Sequence, residues 1–385
     1  MRLLRLILKG LLIALPAVLL LVTVNYTVDG TAVLQGDKFE RQIADAWQSG
    51  NAVGNFTNAI NERSVMRLYV DQLDEPLDTL VLGSSRCMQI TQQIAGTEGA
   101  FFNSGMTGAD HKDVLSTFYL FARSGKLPRH LIIGMDPWVL FDSDAALNFR
   151  SDDNLYREFL NECLGYDVEY QPEDHSLRRK ALTSPGYFQE NLLYYFSEHP
   201  EEESPDILPN YELDYDFEIR LADGTQYYSK ETRLATQDVV DYNALVMTSV
   251  DYAQLYQFTE VSERLAGEWE SFLRYAVQHG VDVTLVLTPF HPIYWEKLAV
   301  DPDYTGVAAA EQTARQIAAR LGIAVYGSYD PSAAWCTGTD FYDGLHVRRE
   351  SLSRFFPGVG KTAQAPADWM TEDAPADGEA AGTDA

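Results

Sequence analysis

Two short stretches hold residues whose types and spacing could do acyl chemistry. The run "VLGSSRCMQI", residues 81–90, stops being apolar at Gly83 and then sets Ser84, Ser85 and Arg86 where a buried strand would end. The run "YDGLHV", residues 342–347, places Asp343 three residues ahead of His346. A serine hydroxyl attacks a carbonyl only when a base takes its proton, and an imidazole base needs an acceptor to fix its tautomer. The D-x-x-H spacing lets one carboxylate orient the imidazole within a single turn. Each stretch also has a plainer reading. Ser84 or Ser85 could be the N-cap of a strand-to-helix turn, and Asp343 and His346 could belong to a surface turn.

The elements that must position these residues follow from hydrophobic patterning. Apolar runs bounded by small or polar residues predict strands over 78–85, 99–108, 130–141, 281–290 and 323–329. Helical spacing separates them, most clearly in "ADHKDVLSTFYLFARSGK" and "GVAAAEQTARQIAARLG", and a helix is expected over 252–280. This alternation predicts an α/β fold, a doubly wound five-stranded parallel sheet of the flavodoxin-like kind. In such a sheet a site forms in the crevice beyond the carboxyl ends of the strands. The unusual polar residues sit at those ends: Ser84 and Ser85, then Asn103 to Gly108, then Asp136, then His291, with Asp343 and His346 after the fifth strand. The rhythm breaks over 142–250, a large insertion rich in acid and tyrosine. Its "FEIRLADGTQYYS" segment predicts a hairpin turning at Asp223-Gly224. Residues 28–77 form a lead-in to the α/β domain, 78–357, and residues 358–385 have the composition of a disordered acidic tail.

Charge and cysteine content narrow the function classes. The 385 residues carry 29 basic and 57 acidic side chains, a net charge of −28, which argues against nucleic acid as a partner. Cys87, Cys163 and Cys336 are odd in number, so they cannot all pair within one chain, and no Cys/His spacing suggests a metal site. At the amino terminus, Arg2, Arg5 and Lys9 precede an uncharged apolar run from Gly10 to Val24. Residues 1–27 read as a signal-anchor helix, since spanning needs about 20 apolar residues and flanking leucines extend the run; a cleavable signal peptide is the rival reading, although "TVNYTVDG" offers a poor cleavage site. Basic residues before the run put the amino terminus inside and the rest of the chain outside the cytoplasm.

The ordered set "LGSSR", "NSGMTGAD", "IGMDPW" and "YDGLH" resembles the motif blocks of the SGNH hydrolase superfamily. It is most similar to membrane-anchored envelope members of the kind that act in teichoic-acid D-alanylation and alginate O-acetylation. The resemblance covers residues 78–141 and 252–357. It implies Ser85 as nucleophile, with Ser84 the competing assignment, His346 as general base and Asp343 as its orienting partner. It places the backbone N–H groups of Ser85 and Gly105 in an oxyanion hole. Where many members supply an asparagine, this chain has Asp136. Further substrate contacts are expected of Ser84, Arg86, Asn103, Asp136 and His291, with Arg86 suited to an anionic group. The implied activity is serine-mediated acyl transfer or ester hydrolysis on a cell-envelope glycan or related polymer. It would need no cofactor and no metal, and a membrane-bound acyltransferase is a potential partner. The alternative is a catalytically silent scaffold of the same fold that binds such a polymer or such an acyltransferase.

Overall fold

The computed structural model describes residues 2–28, 37–56, 60–143, 151–169, 180–196, 204–252 and 254–355. The expected acidic tail lies outside the described residues. In chain order the strands are β1 (Ala52–Gly54), β2 (Thr79–Leu82), β3 (Phe101–Asn103), β4 (His130–Gly134), β5 (Asp206–Leu208), β6 (Ile219–Arg220), β7 (Gln226–Tyr227), β8 (Asp282–Leu287) and β9 (Ala324–Gly327).

Five of them form one sheet in the order β3-β2-β4-β8-β9, with every pairing parallel. The chain starts at β2, steps out to β3, then crosses back to β4, so the order reverses between β2 and β4. Parallel strands covered on both faces read as continuous apolar runs, which is why "TLVL" and "HLIIG" contain so little polar alternation. Their side chains nonetheless divide with period two. Leu80, Leu82, Leu131, Ile133, Leu285 and Leu287 enter the larger core. Val81, Ile132 and Val286 enter a smaller core on the other face, with Ala95, Val240, Phe341 and Leu352. The larger core is closed by helices His111–Arg123, Glu263–Gln278 and Thr305–Leu321, through residues such as Phe118, Trp269 and Ile317. Helices on both faces of an all-parallel sheet are compatible with a doubly wound fold.

Several elements are shorter than their sequence patterns suggest. The strand expected over 99–108 ends at Asn103, whose side-chain oxygen accepts from the Gly105 amide and turns the chain, leaving only an isolated bridge between Ser84 and Met106. The strand expected over 130–141 ends at Gly134 and gives way to a 3-10 turn, Pro137–Leu140, begun by proline. The helix expected from residue 252 starts at Glu263. Gln257 takes a positive φ of 58°, and Ser262 supplies the cap by accepting from the Leu265 amide. The helix Pro292–Val300 follows β8 and has no counterpart in the sequence reading.

The lead-in is part of the same body. Ile43, Trp47, Val65 and Val70 lie in the larger core, and β1 joins the insertion in a second sheet of order β5-β1-β6-β7. The expected hairpin is present, with β6 and β7 antiparallel around Asp223-Gly224. At the amino terminus Arg2–Val28 is one helix whose side chains are described only from Leu15 onward. No helix is long and apolar enough to cross a membrane among the described residues.

Candidate active site

The carboxyl end of β2 reaches solvent through a tight turn. Gly83 has a φ of 142°, and a Cβ there would lie 2.6 Å from the Gly134 carbonyl oxygen on β4, so only glycine lets the two strands approach. Ser84 is buried and caps the following 3-10 turn, its hydroxyl oxygen accepting from the Arg86 amide at 3.2 Å. Ser85 opens that turn and is partly exposed. Both readings of the Ser-Ser pair therefore hold, one for each residue: Ser84 is the cap and Ser85 faces the crevice.

The loop after β9 supplies the imidazole. One carboxylate oxygen of Asp343 accepts from the backbone amides of Leu345 at 2.7 Å and His346 at 2.9 Å. The other lies 2.8 Å from His346 Nδ1. An ionised carboxylate only accepts, so Nδ1 carries the proton and Nε2 is left with its lone pair. That nitrogen stands 2.9 Å from Ser85 Oγ and accepts from the hydroxyl. Ser85, His346 and Asp343 thus form one continuous hydrogen-bonded chain. Burial pushes the Asp343 carboxyl up, but the charge of His346, the hydrogen bond to its ring and the two amides outweigh it and hold the group at about 2. Burial opposes the imidazolium of His346, yet the Asp343 charge and hydrogen bond raise its titration above 6.5.

The other residues expected to meet substrate are placed differently. Arg86 is buried, and four of its five N–H donors are engaged within the protein. Nη1 pairs with Asp136 Oδ1 at 2.9 Å, Nη2 donates to the carbonyls of Thr288 at 2.5 Å and Pro289 at 2.9 Å, and Nε donates to the Leu345 carbonyl at 3.2 Å. Its guanidinium lies 4.0 Å from the centroid of the Phe290 ring. Arg86 is thus turned into the protein, where it ties together the ends of three segments. Asp136 is turned away from the crevice into this pair, which removes the electrostatic objection to a carboxylate beside an oxyanion. Burial pushes its carboxyl up while Arg86 and the Ser84 hydroxyl pull it down, with burial prevailing.

Asn103 is also internal, its amide donating to the carbonyls of Cys87 at 2.9 Å and Ile90 at 3.0 Å. Its side-chain oxygen accepts from the Gly105 amide at 2.9 Å. The Gly105 N–H is therefore engaged and does not supply the oxyanion donor expected of it. His291 is buried against Phe341 and lies 3.3 Å from Asp241, where it caps the helix Pro292–Val300. It braces the loop after β8 from within the protein. Cys87 is buried behind the turn, and burial drives its thiol well above the ordinary range, so it packs as an apolar group.

The insertion brings residues to the site that its sequence did not single out. The Gln226 amide donates to the Met88 carbonyl at 2.9 Å and the Asn103 amide donates to the Asp223 carbonyl at 2.8 Å, locking the β6–β7 hairpin onto the turn after β2. Arg220 donates to the Gly105 carbonyl at 3.1 Å and pairs with Glu62 at 2.6 Å, so the lead-in also grips the site. Gly224 sits so close that a Cβ would lie 2.1 Å from the Asn103 carbonyl oxygen. The hairpin delivers Tyr228, buried edge-on to the His346 ring with centroids 6.0 Å apart. It also delivers Glu218, which accepts from Gln226 at 2.6 Å and whose partial enclosure raises its carboxyl. The Asp-Gly turn was the one signal in the sequence that marked this hairpin.

Among the described residues no group of three or more His, Cys, Asp or Glu side chains is placed to hold a metal ion. Compared with models of known protein families and with curated proteins, the chain matches none.

Proposed function

We propose that the protein is a serine acyltransferase or esterase of the SGNH type. It would be held at the cell membrane by its amino-terminal helix and act outside the cytoplasm on an envelope glycan or related polymer. The observation that carries the reading is the Ser85–His346–Asp343 chain at 2.9 and 2.8 Å. Its members come from two loops about 260 residues apart, and a surface turn has no reason to align them. In the proposed reaction Ser85 Oγ attacks an acyl carbonyl as Nε2 of His346 takes its proton. Asp343 holds Nδ1–H and stabilises the imidazolium. The imidazolium then protonates the leaving oxygen, and the acyl-enzyme passes to water or to an acceptor hydroxyl. The Ser85 amide is the remaining oxyanion donor of the expected pair. The hairpin that carries Tyr228 and Glu218 walls one side of the crevice, and enclosure from water favours transfer to an acceptor, such as a polymer hydroxyl delivered with a membrane acyltransferase.

The engaged Gly105 amide favours a second reading, a scaffold with the triad but no turnover, because removing one oxyanion donor alone costs about 2.7–4 kcal/mol of transition-state stabilisation. Reaction with a fluorophosphonate probe separates the two. The enzyme reading expects labelling of the wild type and none of Ser85→Ala. An unlabelled wild type would leave the scaffold.

A further inference from the structure

The helix Pro185–Phe196, in the insertion and remote in sequence from the triad, has the composition of a lipid-facing element. Its sequence "PGYFQENLLYYF" has five aromatic residues, two leucines, one carboxylate and no basic residue. One side of it is occupied. Tyr187 and Asn191 are buried, while Leu193, Tyr195 and Phe196 stand 67%, 67% and 79% exposed. In water a surface of this kind is costly, and exposed apolar side chains grouped on one short element mark an interaction surface.

What it lies beside identifies the occupant. The helix is clasped to the end of the amino-terminal helix by Asn25, which is fully buried. The Asn25 amide donates to the carbonyls of Ala181 at 3.0 Å, Leu182 at 3.2 Å and Ser184 at 3.1 Å, and its oxygen accepts from Asn191 at 3.3 Å. Both side-chain polar atoms of Asn25 are thus directed to the segment 181–191, which fixes one helix against the other. The amino-terminal helix itself leaves Leu15, Val18, Leu19 and Leu20 between 50% and 59% exposed, with Tyr26 exposed beside the clasp. The clasp lies near the end of the amino-terminal helix, the level at which a spanning helix leaves the bilayer. Tyrosine and other amphipathic rings collect at that level because one end of the ring is apolar and the other can stay hydrated.

We infer that Pro185–Phe196 is an interfacial helix that rests in the outer face of the same bilayer, with Leu193, Tyr195 and Phe196 inserted at the headgroup–acyl boundary. The inference rests on the reading of the amino-terminal helix as a membrane anchor. A single spanning helix would let the domain swing freely. A second contact clasped through Asn25 limits that swing and sets the distance of the crevice from the membrane. For an enzyme that takes acyl groups from a membrane partner, that distance decides which donors are reached.

The test uses the full-length chain in phosphatidylcholine–phosphatidylglycerol vesicles, with a bimane label on Phe196→Cys or on Leu15→Cys. A Cys163→Ser background suffices, since Cys87 and Cys336 are buried. Nitroxide lipids report depth and aqueous iodide reports water. The expected result is deep quenching of the Leu15→Cys label and shallow lipid quenching of the Phe196→Cys label, at a depth of about 5–10 Å. Lipid quenching at position 15 with only iodide quenching at position 196 would overturn the interfacial helix and leave the anchor standing. Lipid quenching at neither position would overturn the anchor and the inference with it. A position 196 label shielded from both quenchers would mean that another protein surface covers the helix, and would also overturn the inference.

Discussion

Arg86, the residue after Ser85, donates its Nε–H to the carbonyl oxygen of Leu345, the residue before His346, at 3.2 Å. Ser85 and His346, the proposed nucleophile and base, are therefore joined twice, directly through Oγ and Nε2 and again through a buried guanidinium one residue away. The same guanidinium holds Asp136 and the loop after β8. Arg86 is a positioning residue, and its neighbours are set by its fork of donors more than by its charge.

Removing Arg86 leaves Asp136 buried without its cation, and breaking a buried pair costs about 3–5 kcal/mol. Arg86→Met is expected to lower stability by that amount in urea denaturation. The double variant Arg86→Met/Asp136→Leu removes both charges and is expected to recover much of the loss. Its acyl activity should stay low, because the Leu345 carbonyl has lost its donor. Equal loss in the single and double variants would show that the ion pair is not what holds the loops.

Ser84 and Ser85 should separate cleanly. Ser85→Ala abolishes fluorophosphonate labelling without lowering the melting temperature. Ser84→Ala keeps the labelling and loses about 1 kcal/mol, the usual cost of an N-cap. Labelling that survives in Ser85→Ala and disappears in Ser84→Ala would exchange their roles.

The pH dependence follows from the direction of two shifts. His346 acts as a base only when neutral, and Asp343 raises its titration above 6.5. Hydrolysis of a soluble ester should therefore fall as pH drops, with the midpoint of the acid limb above 6.5. The linked stability runs the other way for the histidine: its contribution is present below its unfolded pKa and is lost as pH rises through the raised folded value. For Asp343, held at about 2 against an ordinary 3.8, the contribution is present above 3.8 and is lost as pH falls toward 2. Asp343→Asn should move the acid limb of the rate profile to lower pH and cut kcat by about 10⁴-fold. An acid limb that stays in place in Asp343→Asn would detach Asp343 from His346.

Gly224 offers a test of the hairpin. It has a φ of 75° and its missing Cβ would strike the Asn103 carbonyl oxygen. Gly224→Ala meets a left-handed backbone cost of about 1–2 kcal/mol and also forces the hairpin off β3. A lower melting temperature with a raised KM is expected, because Tyr228 and Glu218 move with the turn. An unchanged KM would place the substrate away from this wall.

Much of the sheet and its site was legible in the sequence because both depend on local rules. Buried parallel strands are continuous apolar runs, so β2, β4 and β8 announce themselves. A doubly wound order sends the ends of those runs to one edge, which groups Ser85 with His346 before any coordinate is known. The D-x-x-H spacing similarly contains its own geometry, since Asp343 can reach both the amides and the ring of its own turn. What only the tertiary structure decided are the long-range partnerships. Whether Ser84 or Ser85 faces the base depends on which hydroxyl caps the turn, and two adjacent serines look alike in sequence. Arg86, Asn103 and His291 sit at strand ends in the sequence and were expected to face substrate. Burial turned all three inward: Arg86 and Asn103 spend donors on the carbonyls of other loops, and His291 packs against Phe341 beside Asp241. The Gly105 amide was likewise taken up by Asn103. The lead-in and the insertion, more than 150 residues apart at Val53 and Ile207, share a sheet whose short strands carry no periodic signal. Only the folded chain could bring them together over the crevice.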